Sequence, residues 1–309
     1  MRVFVAGVSG FIGRRVITTL GATDHVAVPL GRAGQEEGEW NRIDLRDVQD
    51  YRADLSSCDA VINLAGGRHD KDDEQPTAAL LRAMEKSGVT RLIHVSSFSV
   101  YDYRSPSAGD TIDENSPIEP QPRFRDQYTR CKLQEEALVC AANIDLTILR
   151  LGAVYGPDRH WDGGMAATGF GLGLVIGPSS RQKLVSVQSA ANAIVASLAP
   201  EAIGHKLNII DSALPDQRSY EHALRQVGVD LPRSIPVSFR AANAVAMAAD
   251  LLTRPTPSVR ARLPEVLSLS RLAARHKPLE YSNRRASAVL EWEPLSGCDV
   301  SSIATARTL

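Results

Sequence analysis

The chain is poor in cysteine, poor in aromatic residues and without a charge excess of either sign. Four of its 309 residues are cysteine, Cys58, Cys131, Cys140 and Cys298. They form no Cys-x-x-Cys pair and are too sparse for a disulfide-stapled scaffold. Free thiols in a reducing cytosol are expected, hence a cytoplasmic protein. Basic residues number 35 and acidic residues 36, a formal net charge of -1, which removes the basic excess of a dedicated nucleic-acid binder. The longest helical apolar block, 241–252, is interrupted by Asn243 and Asp250 and falls short of the roughly 20 residues a membrane span needs. The apolar start, Met1 to Gly7, is too brief for a signal-peptide core and reads as a first strand.

What remains is a globular composition, 43% hydrophobic and 23% charged with 22 Gly and 17 Pro, outside the disordered and collagen-like classes. At roughly 150 residues per domain the length suggests about two domains. Short β-branched runs at Arg2–Ala6, His25–Pro29, Ala60–Leu64, Arg91–Ser96 and Asp145–Arg150 alternate with helical patterns at Phe11–Leu20, Pro76–Lys86 and Gln127–Ala142. That order is βαβ, repeated. Strands as continuously apolar as Ala60-Val61-Ile62-Asn63-Leu64 are expected where helices cover both faces. The fold class is therefore α/β, a Rossmann-type doubly wound parallel sheet.

After Arg150 the rhythm loosens into a Gly-rich passage, 163–177, a helix near Ala190–Ala199 and a strand near Lys206–Ile210. A smaller α+β substrate lobe is expected over 161–309, with some segments returning to the dinucleotide-binding domain of 1–160. Residues 254–285 carry eight Lys or Arg against Glu265 and Glu280. Such a run is usually a solvated helical surface, and otherwise a receiver of substrate phosphate.

Gly7-Val8-Ser9-Gly10-Phe11-Ile12-Gly13 follows the first strand and opens the first helix. In that context glycines permit a tight turn, close approach of backbone to a pyrophosphate, and close helix packing, while the helix N-terminus meets phosphate charge. The G-x-x-G-x-x-G spacing is one residue longer at its start than the common dinucleotide pattern. The second strand ends Val28-Pro29-Leu30-Gly31-Arg32 with no carboxylate for a ribose hydroxyl. Arg32 and Arg14 are candidates to clamp the 2'-phosphate of NADP, which is favoured over NAD. The alternative has both arginines solvated and Glu36 or Glu37 serving the ribose.

Tyr128 and Lys132 stand four apart, on one face of a helix. They follow a strand ending His94-Val95-Ser96-Ser97-Phe98-Ser99-Val100-Tyr101, whose carboxyl edge is where open parallel sheets bind ligands. With these residues the chain resembles the extended short-chain dehydrogenase/reductase superfamily, also called the NAD-dependent epimerase/dehydratase family. The resemblance rests on the glycine loop, Asp44-Leu45, Asn63-Leu64-Ala65-Gly66, Ser-Ser-x-x-Val-Tyr, Tyr-x-x-x-Lys, and Arg150-Leu151-Gly152-Ala153-Val154-Tyr155-Gly156-Pro157. The C-terminal half, with Ser234-Ile235-Pro236-Val237 and Leu290-Glu291-Trp292-Glu293-Pro294, looks similar to 3β-hydroxysteroid dehydrogenase-like and dihydroflavonol reductase-like members.

The resemblance implies a catalytic set of Ser97, Tyr128 and Lys132. Tyr128 is the acid/base for the proton that accompanies hydride transfer. A cation one turn away favours its phenolate, and Lys132 would also hold the nicotinamide ribose. Ser97 would polarise the substrate oxygen. Cofactor contacts are expected from Gly7, Gly10, Phe11, Ile12, Gly13, Arg14, Arg32, Asp44 (toward adenine), Leu45, Leu64, Ala65, Gly66, Tyr128, Lys132, Gly152 and Val154.

Several positions depart from the family pattern. Gln75-Pro76-Thr77-Ala78-Ala79 replaces Asn-x-x-Gly-Thr, and Val187-Gln188-Ser189-Ala190-Ala191 replaces Val-Asp-Asp-Val-Ala, losing its acid. Phe98-Ser99 stand where dehydratases carry Asp-Glu, which argues against dehydration. His69, His94 and His160 lack ligand spacing, so no metal is expected. The reading is an NAD(P)-dependent oxidoreductase acting on a small-molecule carbonyl or alcohol, without nucleic-acid or membrane partners and with a homodimer as one option. The alternatives are a nucleotide-sugar epimerase with tightly held NAD and a non-catalytic dinucleotide sensor.

Overall fold

The computed structural model describes residues 1–30, 32–33, 40–41, 44–66, 75–157, 159–160, 165–169, 172–256 and 263–295. Six strands form the central sheet: β1 (Arg2–Ala6), β2 (Val26–Pro29), β3 (Ala60–Asn63), β4 (Arg91–Ser97), β5 (Asp145–Leu151) and β6 (Lys206–Ile209). Every pairing is parallel, in the spatial order β2-β1-β3-β4-β5-β6. The chain steps outward from β1 to β2, then crosses back to continue from β3. The switch point therefore lies between the carboxyl ends of β1 and β3, where open α/β sheets leave a crevice.

The two-residue side-chain period of a strand explains why both faces are covered. Val3 and Val5 of β1 enter a core with Val16 and Leu20 of α1 (Phe11–Leu20), while Phe4 and Ala6 enter a second core with Leu80, Ala83 and Met84 of α2 (Pro76–Ser87). Helix α2 has proline at its first position, whose missing N–H is no loss there, and ends at Gly88, whose φ of 72° is the left-handed cap. Helix α3 (Gln127–Ala141) starts where the Asp126 side chain accepts from Thr129 N at 2.9 Å. Burial opposes ionisation of Asp126, but hydrogen bonds from Thr129 outweigh it and hold the carboxyl below its ordinary value.

Two expectations shift in detail. The helix read near Ala190–Ala199 is α4 (Val187–Ala196), which begins earlier because the Ser186 hydroxyl accepts from Ser189 N at 3.0 Å and caps it. The Gly-rich passage contains an antiparallel pair, Met165–Gly169 with Leu172–Ile176, extended in parallel by Arg233–Val237. The strand at Lys206–Ile209 sits at the edge of the large sheet, beside β5. Among the described residues no helix is long and apolar enough to cross a membrane.

Candidate active site

The glycine loop is folded by contacts that leave no room for side chains. Gly7 has a φ of +90°, and a Cβ there would lie 2.9 Å from Ala65 N. A Cβ on Gly13 would lie 2.2 Å from Gly7 O, and Gly10 N donates to that same carbonyl at 3.1 Å. These approaches bring the end of β1 against the start of α1 and against Leu64–Ala65 beyond β3. Helix α1 has no side-chain cap at Gly10 and no acid in its first turn, as an anion cradle at a helix N-terminus requires. Phe11 and Ile12 are half-buried. Ile12 packs on the first core, and Arg159 lies 5.2 Å over the Phe11 ring. Arg14 is exposed and folds back toward Ser9 O at 3.4 Å.

Beyond the glycine loop, Arg46 holds the Asp44 carboxylate through Nε at 2.9 Å and Nη2 at 2.5 Å. Leu45 is a core residue whose carbonyl accepts from Tyr51 at 2.7 Å. The backbone of Arg32 belongs to a short strand, Arg32–Ala33, while its side chain, with Glu36 and Glu37, lies outside the described residues.

Ser97 closes β4 and its Oγ accepts from Ser99 N at 3.1 Å, leaving the hydroxyl proton to be donated elsewhere. In α3, Tyr128 is 38% exposed, so its phenol is reachable from solvent, whereas Lys132 is 5% exposed. Lys132 Nζ donates to Val95 O at 3.0 Å and to Glu135 Oε2 at 2.8 Å. A Cβ on Gly66 would stand 2.2 Å from that same Nζ. The ammonium thus occupies the space left by the missing side chain in the loop after β3.

Arg125, which the sequence did not single out, joins the two halves of this site. It is buried, and donates to Ser99 O at 3.0 Å, Tyr101 O at 3.2 Å and Glu119 Oε2 at 3.0 Å. Gly152 and Val154 have packing roles: a Cβ on Gly152 would lie 2.4 Å from Lys183 O, and Val154 packs on the first core. Buried Asp211, just past β6, accepts from Ser186 N at 3.1 Å and Tyr155 at 3.0 Å, at the start of α4. Burial pushes its carboxyl up to about 6 against those bonds.

In the basic C-terminal stretch, Lys277 donates to Tyr103 O and Arg104 O, Arg254 faces Asp250, and Arg285 donates to Asn115. Cys58, Cys131 and Cys140 are free thiols. His69 lies outside the described residues, and among those described no group of three or more His, Cys, Asp or Glu could hold a metal ion.

Residues 3–169 match the model of the NAD dependent epimerase/dehydratase family. A 3-diazoavenalumate denitrifying reductase from Streptomyces sp is 28% identical over 263 residues, covering 77% of this chain and 85% of the relative. The fold is similar to UDP-glucuronic acid 4-epimerase from Bacillus cereus in complex with NAD, with a TM-score of 0.68 at 17% identity over 99% of this chain and 98% of that one. It is also similar to RMD from Pseudomonas aeruginosa complexed with NADPH, with a TM-score of 0.63 at 20% identity over 95% and 93%.

Proposed function

The chain belongs to the NAD dependent epimerase/dehydratase family, a family of nicotinamide-dependent enzymes, and on that premise we propose that it transfers hydride between a nicotinamide dinucleotide and a carbonyl or alcohol substrate. One observation carries this reading. The Lys132 ammonium occupies the space against Gly66, so the Tyr-x-x-x-Lys helix reaches the same switch-point crevice that the glycine loop borders.

The residues fit a dinucleotide. The closed-up glycines and uncapped N-terminus of α1 would hold the pyrophosphate, the Leu64–Gly66 loop would line the nucleotide, and Lys132 would meet the nicotinamide ribose. The bound cofactor supplies or accepts the hydride at its nicotinamide ring. Tyr128 gives or takes the proton at the substrate oxygen, as an exposed phenol can. Ser97 Oγ, already accepting from Ser99 N, donates its proton to that oxygen and stabilises charge developing there.

NADP is proposed over NAD. The end of β2 offers Pro29 and Leu30 rather than an acid, and Arg14 is exposed beside the loop, where a guanidinium can pair with a 2'-phosphate. A reductase is favoured over an epimerase because the similarity to the Streptomyces reductase extends over 77% of the chain. The test is a screen of carbonyl compounds and nucleotide sugars with NADPH and NADH. Consumption of reduced cofactor with a carbonyl supports the reading. Stereochemical inversion without net cofactor turnover replaces it with epimerisation, and binding of neither cofactor ends it.

A further inference from the structure

Two acidic residues stand side by side in α3, and each has its own cation. Glu136 binds Arg150 Nη2 at 2.7 Å and accepts from Ser96 Oγ at 2.5 Å. Glu135, fully buried, turns to Lys132 instead and also lies 3.6 Å from His94 Nε2. A carboxylate at such depth without a counter-charge is strongly disfavoured, so its placement beside Lys132 is specific.

The contacts continue past the ion pair. Asn63 Oδ1 accepts from Ala65 N at 3.1 Å, which turns its amide nitrogen toward His94 Nδ1 at 3.3 Å. The donor on that side is Asn63, so His94 carries its own proton on Nε2, facing Glu135. Burial, then the Lys132 charge, holds His94 far below its usual value, and it remains neutral near pH 7. A buried row of polar side chains thus runs from the Ala65 amide through Asn63 and His94 to Glu135 and the Lys132 ammonium, in which the His94–Glu135 approach, at 3.6 Å, is an electrostatic contact rather than a hydrogen bond. Both of its ends lie in the loop after β3, because Nζ sits against Gly66. Two of the three Nζ protons are taken by Val95 O and Glu135, leaving one for a ligand.

We propose that Glu135 is a positioning residue, holding the Lys132 ammonium against Gly66 and tying it through His94 and Asn63 to the nucleotide loop, so that its remaining proton is aimed at a ribose hydroxyl. This rests on the dinucleotide reading above and adds residues to it.

The test is calorimetric titration of the full-length protein, as wild type, Glu135→Gln, Lys132→Met and the double variant, with NADPH and with ADP, which lacks the nicotinamide ribose. Glu135→Gln is expected to weaken NADPH about tenfold, to leave ADP within about twofold, and to add nothing once Lys132 is gone. Equal weakening of both ligands, a further loss in the Lys132→Met background, or unchanged NADPH affinity overturns the proposal. If Glu135→Gln does not fold, Glu135→Asp carries the same comparison: a loss confined to NADPH supports the proposal and a loss with both ligands overturns it. NADPH binding by wild type with no effect of Glu135 removes this inference alone, whereas no binding by wild type removes the dinucleotide reading with it.

Discussion

Arg125 donates to the carbonyl of Ser99 at 3.0 Å, fastening the residue three before Tyr128 to the turn that begins directly after Ser97. Its second anchor, Glu119, has a side chain only 2% exposed. Replacing Arg125 by Met leaves that carboxylate buried without its guanidinium, a loss on the order of 3 kcal/mol. Urea unfolding should register that loss. On the proposed function, substrate turnover should fall more than dinucleotide affinity, because Tyr128 and Ser97 lose their mutual register while the glycine loop is untouched. A variant as stable as wild type would contradict the clamp.

Tyr128→Phe removes the proton and keeps the ring. The residue is 38% exposed, so folding should be nearly unaffected, while turnover should drop by about two to four orders of magnitude. Cofactor titration alongside steady-state kinetics separates these effects. Turnover within a fewfold of wild type would take Tyr128 out of the chemistry.

Gly66→Ala would place a methyl 2.2 Å from Lys132 Nζ and 3.1 Å from Glu135 Oε2. The lysine end must move, with an overpacking cost of about 1–3 kcal/mol and a loss of NADPH affinity. In a Lys132→Ala background the same change should cost much less in stability, because the nearest clashing atom is gone and only the 3.1 Å approach to Glu135 Oε2 remains. Thermal melts of the four proteins check this, and additive penalties would assign the clash elsewhere.

Acid should destabilise the protein through its buried histidines. Burial, then the charges of Arg275 and Lys183, holds His276 down to about 4 against an ordinary 6.5. The folded form therefore binds fewer protons than the unfolded chain in that window, so this contribution is complete above 6.5 and is lost as pH falls toward 4. His94 acts in the same direction. Asp211, raised to about 6 by burial, opposes them, since the folded form keeps a proton there that the unfolded chain releases. In His276→Gln the acid-side decline should be shallower by up to about 3 kcal/mol, read from urea midpoints between pH 4 and 7. An unchanged slope would contradict the assignment.

Much of this fold was legible locally. Helix α1 occupies the span its apolar spacing gave, Phe11–Leu20, and β1 runs over Arg2–Ala6 as its β-branched residues suggested. Strand ends elsewhere shifted by a residue, because pairing with a neighbour rather than propensity decides where a ladder stops. The unread parts are long-range. Nothing local to Arg125 marks it as the partner of Ser99, 26 residues earlier. Lys132 and Val95 are 37 residues apart, so the depth of the ammonium depends on how α3 packs on β4. Asp211 lies 25 residues from Ser186, and only the sheet brings the end of β6 to the start of α4.

The most direct test is a crystal structure of the protein grown with NADP. The account predicts the pyrophosphate at the glycine loop and the nicotinamide ribose against Lys132, with the nicotinamide ring within reach of Tyr128 and Ser97. A nucleotide bound away from the crevice between β1 and β3, or a nicotinamide remote from Tyr128, would contradict it.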